Sequence, residues 1–206
     1  MFKRKCKITF ICHGATVNSE ENRMSDQDNY PPLNDAGQVE IEKICEWLKK
    51  RAIKNDRIYT SSSLRAVQSA QMITKVFKKD LEILDGLHSR RRGVWSGLTF
   101  EQIENEHPQM LEQFLSNPCS YCPEGGETIT DFNTRVLTII KKIVEENIGN
   151  RVIIVAGYDV IQSAISQAIQ LPAKNQNSVY IKTGSATQIS YFENWASLLY
   201  SGCVPL

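Results

Sequence analysis

Residues 7–14 read Lys7-Ile8-Thr9-Phe10-Ile11-Cys12-His13-Gly14. The part from Lys7 to Cys12 is short, β-branched and aromatic, which is the composition of a buried strand. His13 then falls on a glycine turn at the strand's carboxyl end. Residues 152–156 (Val-Ile-Ile-Val-Ala) are the clearest central strand of the chain and end on Gly157, and residues 57–60 form a further strand running into Ser61-Ser62-Ser63. Strands that alternate with helices predict a mostly parallel central sheet covered on both faces, a three-layer α/β/α architecture. Ligands of such sheets sit at the carboxyl ends of the strands. Three of those ends carry chemistry here: Cys12-His13-Gly14, Thr60-Ser61-Ser62 and Gly157-Tyr158-Asp159. A lone histidine in this position is open to three readings: a nucleophile, a ligand, or a hydrogen-bonded loop residue.

Working outward, a polar loop spans residues 18–32, and Asn34 or Asp35 caps a helix with Ile41, Ile44, Cys45 and Leu48 on its apolar face. A second helix carries Val67, Ala70, Ile73 and Phe77, and residues 81–84 form a weaker strand. Residues 85–98 are rich in glycine and arginine and read as a functional loop. Another helix starts at Thr99 or Phe100 and is interrupted near Pro108. Thr128 with Asp131 resembles a capping box for a helix over residues 129–146, with Phe132, Val136, Ile139, Ile140 and Ile143 as its buried stripe. A helix through Ile161, Ala164, Ile165 and Ala168 follows Gly157. Residues 178–182 and 187–192 are expected to close the sheet as an antiparallel edge. The apolar tail from Trp195 to Leu206 is left to pack back on the domain or to meet a partner, a second copy of the chain included.

The 206 residues suit a single domain over residues 1–206, with no linker or repeat. At 41% hydrophobic and 23% charged, the chain can bury a core. The formal net charge is +1, from 24 basic against 23 acidic residues, although Lys3, Arg4, Lys5 and Lys7 crowd the start and Arg90, Arg91 and Arg92 form a run. That balance argues against nucleic acid or an anionic membrane as the main partner. No stretch approaches the about 18 apolar residues of a membrane helix, and residues 8–12 are too short for the apolar part of a signal peptide. The expectation is a cytoplasmic protein with free thiols among its six cysteines. Cys119 and Cys122 form a C-x-x-C, but with only His13, His88 and His107 available neither metal nor cofactor is expected.

Five segments, in order, resemble the histidine phosphatase superfamily over nearly the whole chain. They are His13-Gly14-x-Thr16 with Asn22-Arg23 after it; Pro32-Leu33-Asn34-Asp35-Ala36-Gly37-Gln38; Thr60-Ser61-Ser62-Ser63-Leu64-Arg65-Ala66-Val67-Gln68-Ser69-Ala70; Gly93-x-Trp95-x-Gly97-Leu98-Thr99; and Pro123-x-Gly125-Gly126-Glu127-Thr128 with Arg135-Val136 downstream. The resemblance implies the phosphoglycerate mutase-like fold. It also implies a chemistry: a histidine takes up a phosphoryl group as phosphohistidine, two arginines and a second histidine neutralise the phosphate oxygens, and a glutamate protonates the leaving alcohol. Phosphoryl transfer is mostly positioning plus electrostatic stabilisation, so such a pocket needs fixed cationic donors, and arginine's planar fork bonds two phosphate oxygens at once.

Carried over residue by residue, the resemblance assigns His13 as the nucleophile position and Arg65 as the second arginine, with Gly14 and Thr16 beside them for phosphate binding. Three positions depart. The arginine before the nucleophile is Cys12, the acid glutamate falls on Ser89, and the second histidine falls on Gly157. A pocket asparagine falls on Ser19, with Asn18 as neighbour. Losing one oxyanion-type donor costs ~10²–10³ in rate and losing a general acid ~10²–10⁴. Together these losses predict a rate lower by on the order of 10⁴. Replacement groups are at hand: a guanidinium from Arg90, Arg91 or Arg92, His88 or Asp159 as acid, and Cys12 itself as a thiolate nucleophile.

The expectation drawn from this is a catalytically impaired member of the family, a pseudoenzyme that binds phosphate or a phosphorylated small molecule, peptide or protein at His13 and Arg65. The alternatives are an active phosphomonoesterase, or less readily a mutase, working through phospho-His13 with displaced helpers, and a structural role with a vestigial pocket.

Overall fold

The computed structural model describes residues 5–25, 31–51, 53 and 55–205. Lys3 and Arg4 of the basic start, residues 26–30 of the polar loop and the final Leu206 lie outside the described residues.

Among the described residues the strands are β1 (Cys6–Cys12), β2 (Arg57–Thr60), β3 (Leu81–Ile83), β4 (Arg151–Ala156), β5 (Ala186–Tyr191) and β6 (Ala196–Cys203). They form one sheet in the order β3-β2-β4-β1-β5-β6. β3, β2, β4 and β1 run parallel, while β5 and β6 add an antiparallel edge. The helices are α1 (Val17–Glu20), α2 (Asp35–Lys50), α3 (Leu64–Phe77), α4 (Phe100–Glu106), α5 (Pro108–Ser116), α6 (Ile129–Glu146) and α7 (Tyr158–Ile169).

Side chains alternate along β1. Cys6, Ile8, Phe10 and Cys12 pack with Phe132, Val136 and Ile140 of α6 and Val160, Ile161 and Ala164 of α7. Ile11 joins Ile41, Ile44 and Leu48 of α2 and Ala66, Ala70 and Ile73 of α3 on the other face. Burial on both faces is why these strands read as continuous apolar runs. A smaller cluster of Trp95, Ile103 and Leu111 lies under α4 and α5. Register places the carboxyl ends level, since Cys12 pairs with Ala156 and Thr60 with Val155. His13, Ser61 and Gly157 therefore emerge at one edge.

Helix starts follow their caps. Asn34 accepts from the Gly37 amide (2.8 Å), and Thr99 with Gln102 forms a reciprocal box ahead of α4. Thr128 accepts from the Asp131 amide, but its hydroxyl donates to the Asp131 carboxylate (2.8 Å). The box expected there is therefore only half made. The short α1, capped by Thr16 and Ser19, lies inside what reads as loop in the sequence.

The closing hairpin differs from expectation. Residues 178–182 form no strand: a 3-10 turn spans Ala173–Ser178, Val179 caps it, and its carbonyl accepts from the Gln162 side chain (2.6 Å). Tyr180, which lends that stretch its β character, is 81% exposed. The last strand is instead β6, from the tail. The Phe192 amide bonds to the Trp195 carbonyl (2.9 Å) and the two rings stack with centroids 4.0 Å apart, which turns β5 back on itself. β6 hides from sequence patterning because it is half-buried, carries an irregular register and ends through Gly202 at φ +59.

Candidate active site

His13 is held by backbone on both sides: its amide donates to the Ala156 carbonyl (3.2 Å), and its carbonyl accepts from Gly184 (3.0 Å). Its Nδ1 lies 2.8 Å from the Gly14 carbonyl oxygen, which can only accept, so Nδ1 carries the proton. Nε2 is then a lone pair and accepts from Arg65 Nε at 2.9 Å. Burial, then the Arg65 charge, push the His13 pKa from 6.5 down to about 3, against a weaker upward pull from the Gly14 carbonyl. The imidazole is neutral, in the tautomer that presents Nε2 to the pocket.

Arg65 lies in the first turn of α3 and is 2% exposed. Its Nη2 donates to Ser89 Oγ (3.3 Å), and its carbonyl accepts from Ser69 Oγ (2.7 Å), which in turn accepts from the Gly14 amide (3.2 Å). Ser69, not singled out in the sequence, thus stitches the histidine turn to α3. A Cβ at Gly14 would stand 2.2 Å from the Gly37 carbonyl oxygen. Gly14 is therefore required by the close approach of α2, and its amide is already bonded. Thr16, expected to bind phosphate, uses Oγ1 to accept from the Ser19 amide and caps α1. Glu40 accepts from the Ala15 amide (2.9 Å) and from Thr183 (3.1 Å), a second tie that sequence reasoning missed. Asn18 is buried and donates to Ser25 (3.0 Å).

The other wall is built differently. Gly157 has an ordinary φ of −73, so its backbone does not demand glycine. A Cβ there would stand 2.6 Å from Ser89 Oγ and 2.8 Å from Asp159 Oδ1, so a larger residue would have to displace those two side-chain tips. Asp159, 3% exposed in the first turn of α7, accepts from the Val160 amide through Oδ1 (3.0 Å) and from the Arg90 amide through Oδ2 (2.8 Å). Arg92 Nη2 lies 3.6 Å from the same Oδ2 and donates to the Tyr158 hydroxyl (3.0 Å). Ser89, Gly157 and Asp159 thus occupy one place, and a fixed negative charge sits in it.

The remaining candidates are now located. The Arg90 guanidinium donates to the Glu127 carbonyl (3.1 Å) and lies 5.6 Å over the Phe114 ring, while burial and then Arg92 push its pKa down to about 10. It points toward α5, Arg91 is exposed, and of the three guanidinium groups it is that of Arg92 that meets Asp159. His88 Nδ1 bonds the Ser89 carbonyl (2.8 Å). Cys12 is 1% exposed within the α6–α7 face of the sheet, and burial, then Asp159, push its thiol up, the reverse of what a thiolate nucleophile needs. Arg135 grips the Glu127 carboxylate through two nitrogens (3.0 and 2.8 Å) and the Gly86 and His88 carbonyls through a third, so the 123–128 motif braces the 86–92 segment. Cys119 and Cys122 are unpaired thiols.

Among the described residues no helix is long and apolar enough to cross a membrane. Comparison with known proteins gives the geometry a lineage. Residues 8–202 match the histidine phosphatase superfamily (branch 1). The phosphoglycerate mutase-like protein 4 of Arabidopsis thaliana is 29% identical over 165 residues, covering 79% of this chain and 70% of that protein. The bifunctional protein Rv2228c of Mycobacterium tuberculosis is 24% identical over 191 residues, 93% of this chain; the chain spans only 52% of that relative's length. Among solved structures, Bacillus stearothermophilus YhfR superposes with a TM-score of 0.88 at 25% identity, covering 97% of this chain and 98% of that one. A mycobacterial glucosyl-3-phosphoglycerate phosphatase solved with VO3 gives a TM-score of 0.83 at 22% identity over 96% and 99%, and shares the fold. The α/β fold with its mixed six-stranded sheet is that of the phosphoglycerate mutase-like proteins, and the chain belongs to the histidine phosphatase superfamily.

Proposed function

We propose that this chain is a catalytically impaired histidine phosphatase that keeps a phosphate-type pocket at His13 and Arg65 and acts by binding a phosphorylated small molecule or protein. The observation that carries this reading is at position 157. The space of the missing histidine is taken by Ser89 Oγ and Asp159 Oδ1, 2.6 and 2.8 Å from any Cβ placed there. Instead of a cation and a carboxylic acid facing the leaving group, that wall presents a hydroxyl and a carboxylate held by backbone amides and Arg92. A resident negative charge opposes a phosphate dianion, and it opposes the more charged transition state at least as much.

A second reading, slow turnover through phospho-His13, draws on the His13 tautomer: Nε2 is unprotonated, as a nucleophile must be, and Arg92 is a cation one contact away.

Hydrolysis of generic phosphomonoesters by wild type beside His13→Ala separates the two. No difference is expected, and turnover that disappears in His13→Ala would overturn impairment. The reverse test combines Cys12→Arg, Ser89→Glu, Gly157→His and Asp159→Gly, the last because the Asp159 carboxylate lies where a side chain at 157 would begin; this variant is expected to gain turnover.

A further inference from the structure

Each segment that builds the pocket carries one large apolar side chain into solvent next to its buried polar groups. Val17 follows Thr16 at the start of α1, Leu64 precedes Arg65 at the start of α3, and Val94 comes just after Arg92 and Gly93. Tyr158 stands between Gly157 and Asp159 at the start of α7. All four lie between 38% (Tyr158) and 49% (Val17) exposed. Their segments are tied together: Arg65 to His13 and Ser89, Arg92 to Tyr158, and the Met24 amide, beyond α1, to the Leu98 carbonyl (2.8 Å). Scattered exposed apolar residues need no explanation, but a set placed round one pocket marks a binding surface.

Tyr158 is the most firmly placed of the four. Its hydroxyl accepts from Arg92 Nη2 (3.0 Å), and that nitrogen lies 3.6 Å from Asp159 Oδ2, so the ring is fixed at the pocket wall. A ring held in this way can pack against another ring without losing further freedom. The charged groups nearby are mostly engaged with one another. Glu21 pairs with Arg23, Asp159 with Arg92, and the Asp85 carboxylate accepts from the Ser62 hydroxyl (2.7 Å). The exposed charges that remain on these segments, Glu20, Glu124 and Arg91, are two acids and one base and do not favour a second anionic group. A stable contact with another protein takes about 20 residues a side, so four side chains round a pocket suit one small organic group.

Resting on the reading of a phosphate pocket at His13 and Arg65, the geometry points to the class of its ligand. That ligand is a small phosphomonoester of an apolar alcohol or phenol. Its phosphate enters the pocket, and its organic part lies against Tyr158 with Val17, Leu64 and Val94 around it.

The test is calorimetric titration of the full chain with inorganic phosphate, glycerol 3-phosphate and phenyl phosphate at constant ionic strength. Phenyl phosphate is expected to bind roughly tenfold tighter than inorganic phosphate, and glycerol 3-phosphate no tighter. Tyr158→Ser should abolish that ratio and Tyr158→Phe should keep it, because the ring makes the contact. Val17→Ser combined with Leu64→Ser should reduce it. Ile148→Ser, an exposed apolar site before β4 at the opposite edge of the sheet, should leave it unchanged. Equal binding of phosphate and phenyl phosphate, or a preference that survives Tyr158→Ser, overturns the apolar mouth while the phosphate pocket stands. A preference lost in Tyr158→Phe as well assigns the effect to the Arg92 bond and also overturns it. Failure of all three anions to bind, or binding unaffected by Arg65→Gln, overturns the pocket itself and this inference with it.

Discussion

On the β1 and α3 side of the pocket, Gly14, Ser69, Arg65 and His13 are joined by hydrogen bonds of 2.7 to 3.2 Å, and every group that a phosphate would meet is neutral or cationic. On the β4 and α7 side, Ser89 and Asp159 close over Gly157, and the deepest group is a carboxylate with its own cation, Arg92. The first wall sets a buried guanidinium on a neutral imidazole, whereas the second holds a carboxylate. Because both walls belong to one fold and one register, the difference lies in a few side chains.

That contrast is easiest to break at Arg65. Arg65→Gln removes the cation of the first wall and should weaken phosphate at this pocket by about a hundredfold; calorimetric titration that shows no loss would place the anion elsewhere. Asp159→Asn tests the second wall. Removing its charge, and freeing Arg92, should tighten phosphate at this pocket by about tenfold, and equal affinity would mean that Asp159 does not face the ligand. The third effect is on stability. The folded pKa of His13, about 3, lies below its ordinary 6.5, so between those values the unfolded chain binds the extra proton. The stabilisation is complete above pH 6.5 and is lost as the pH falls toward 3. Denaturant unfolding should show a fall of about 1 kcal/mol between pH 7 and pH 5.5 that is absent in His13→Gln.

Much of this was legible in the chain. The strand at residues 152–156 and the helix over Ile129–Glu146 are long or pure enough in their periodicity to stand alone, and three loaded strand ends predict one pocket once the sheet is parallel. The resemblance assigns departures to positions 12, 89 and 157 from motif spacing. Their replacements are not. Arg90, Arg91 and Arg92 are identical letters in a row, but the turns around them send one to Phe114, one to solvent and one to Asp159. Arg90, the leading substitute by sequence, is the one whose backbone rather than side chain meets Asp159. β6 was missed because an edge strand packed on one side, with a bulge, leaves no clean alternation.

The crowding at Gly157 also couples two positions of the chain. A larger side chain at 157 and the Asp159 carboxylate in its present place compete for the same space. Asp159 is seated on two amides and beside Arg92, so a histidine introduced alone at 157 would meet a carboxylate already bonded in place. That single change is expected to lower stability. The carboxylate therefore acts as a latch between positions 157 and 159, so that a side chain is accommodated at the first only when the second gives way.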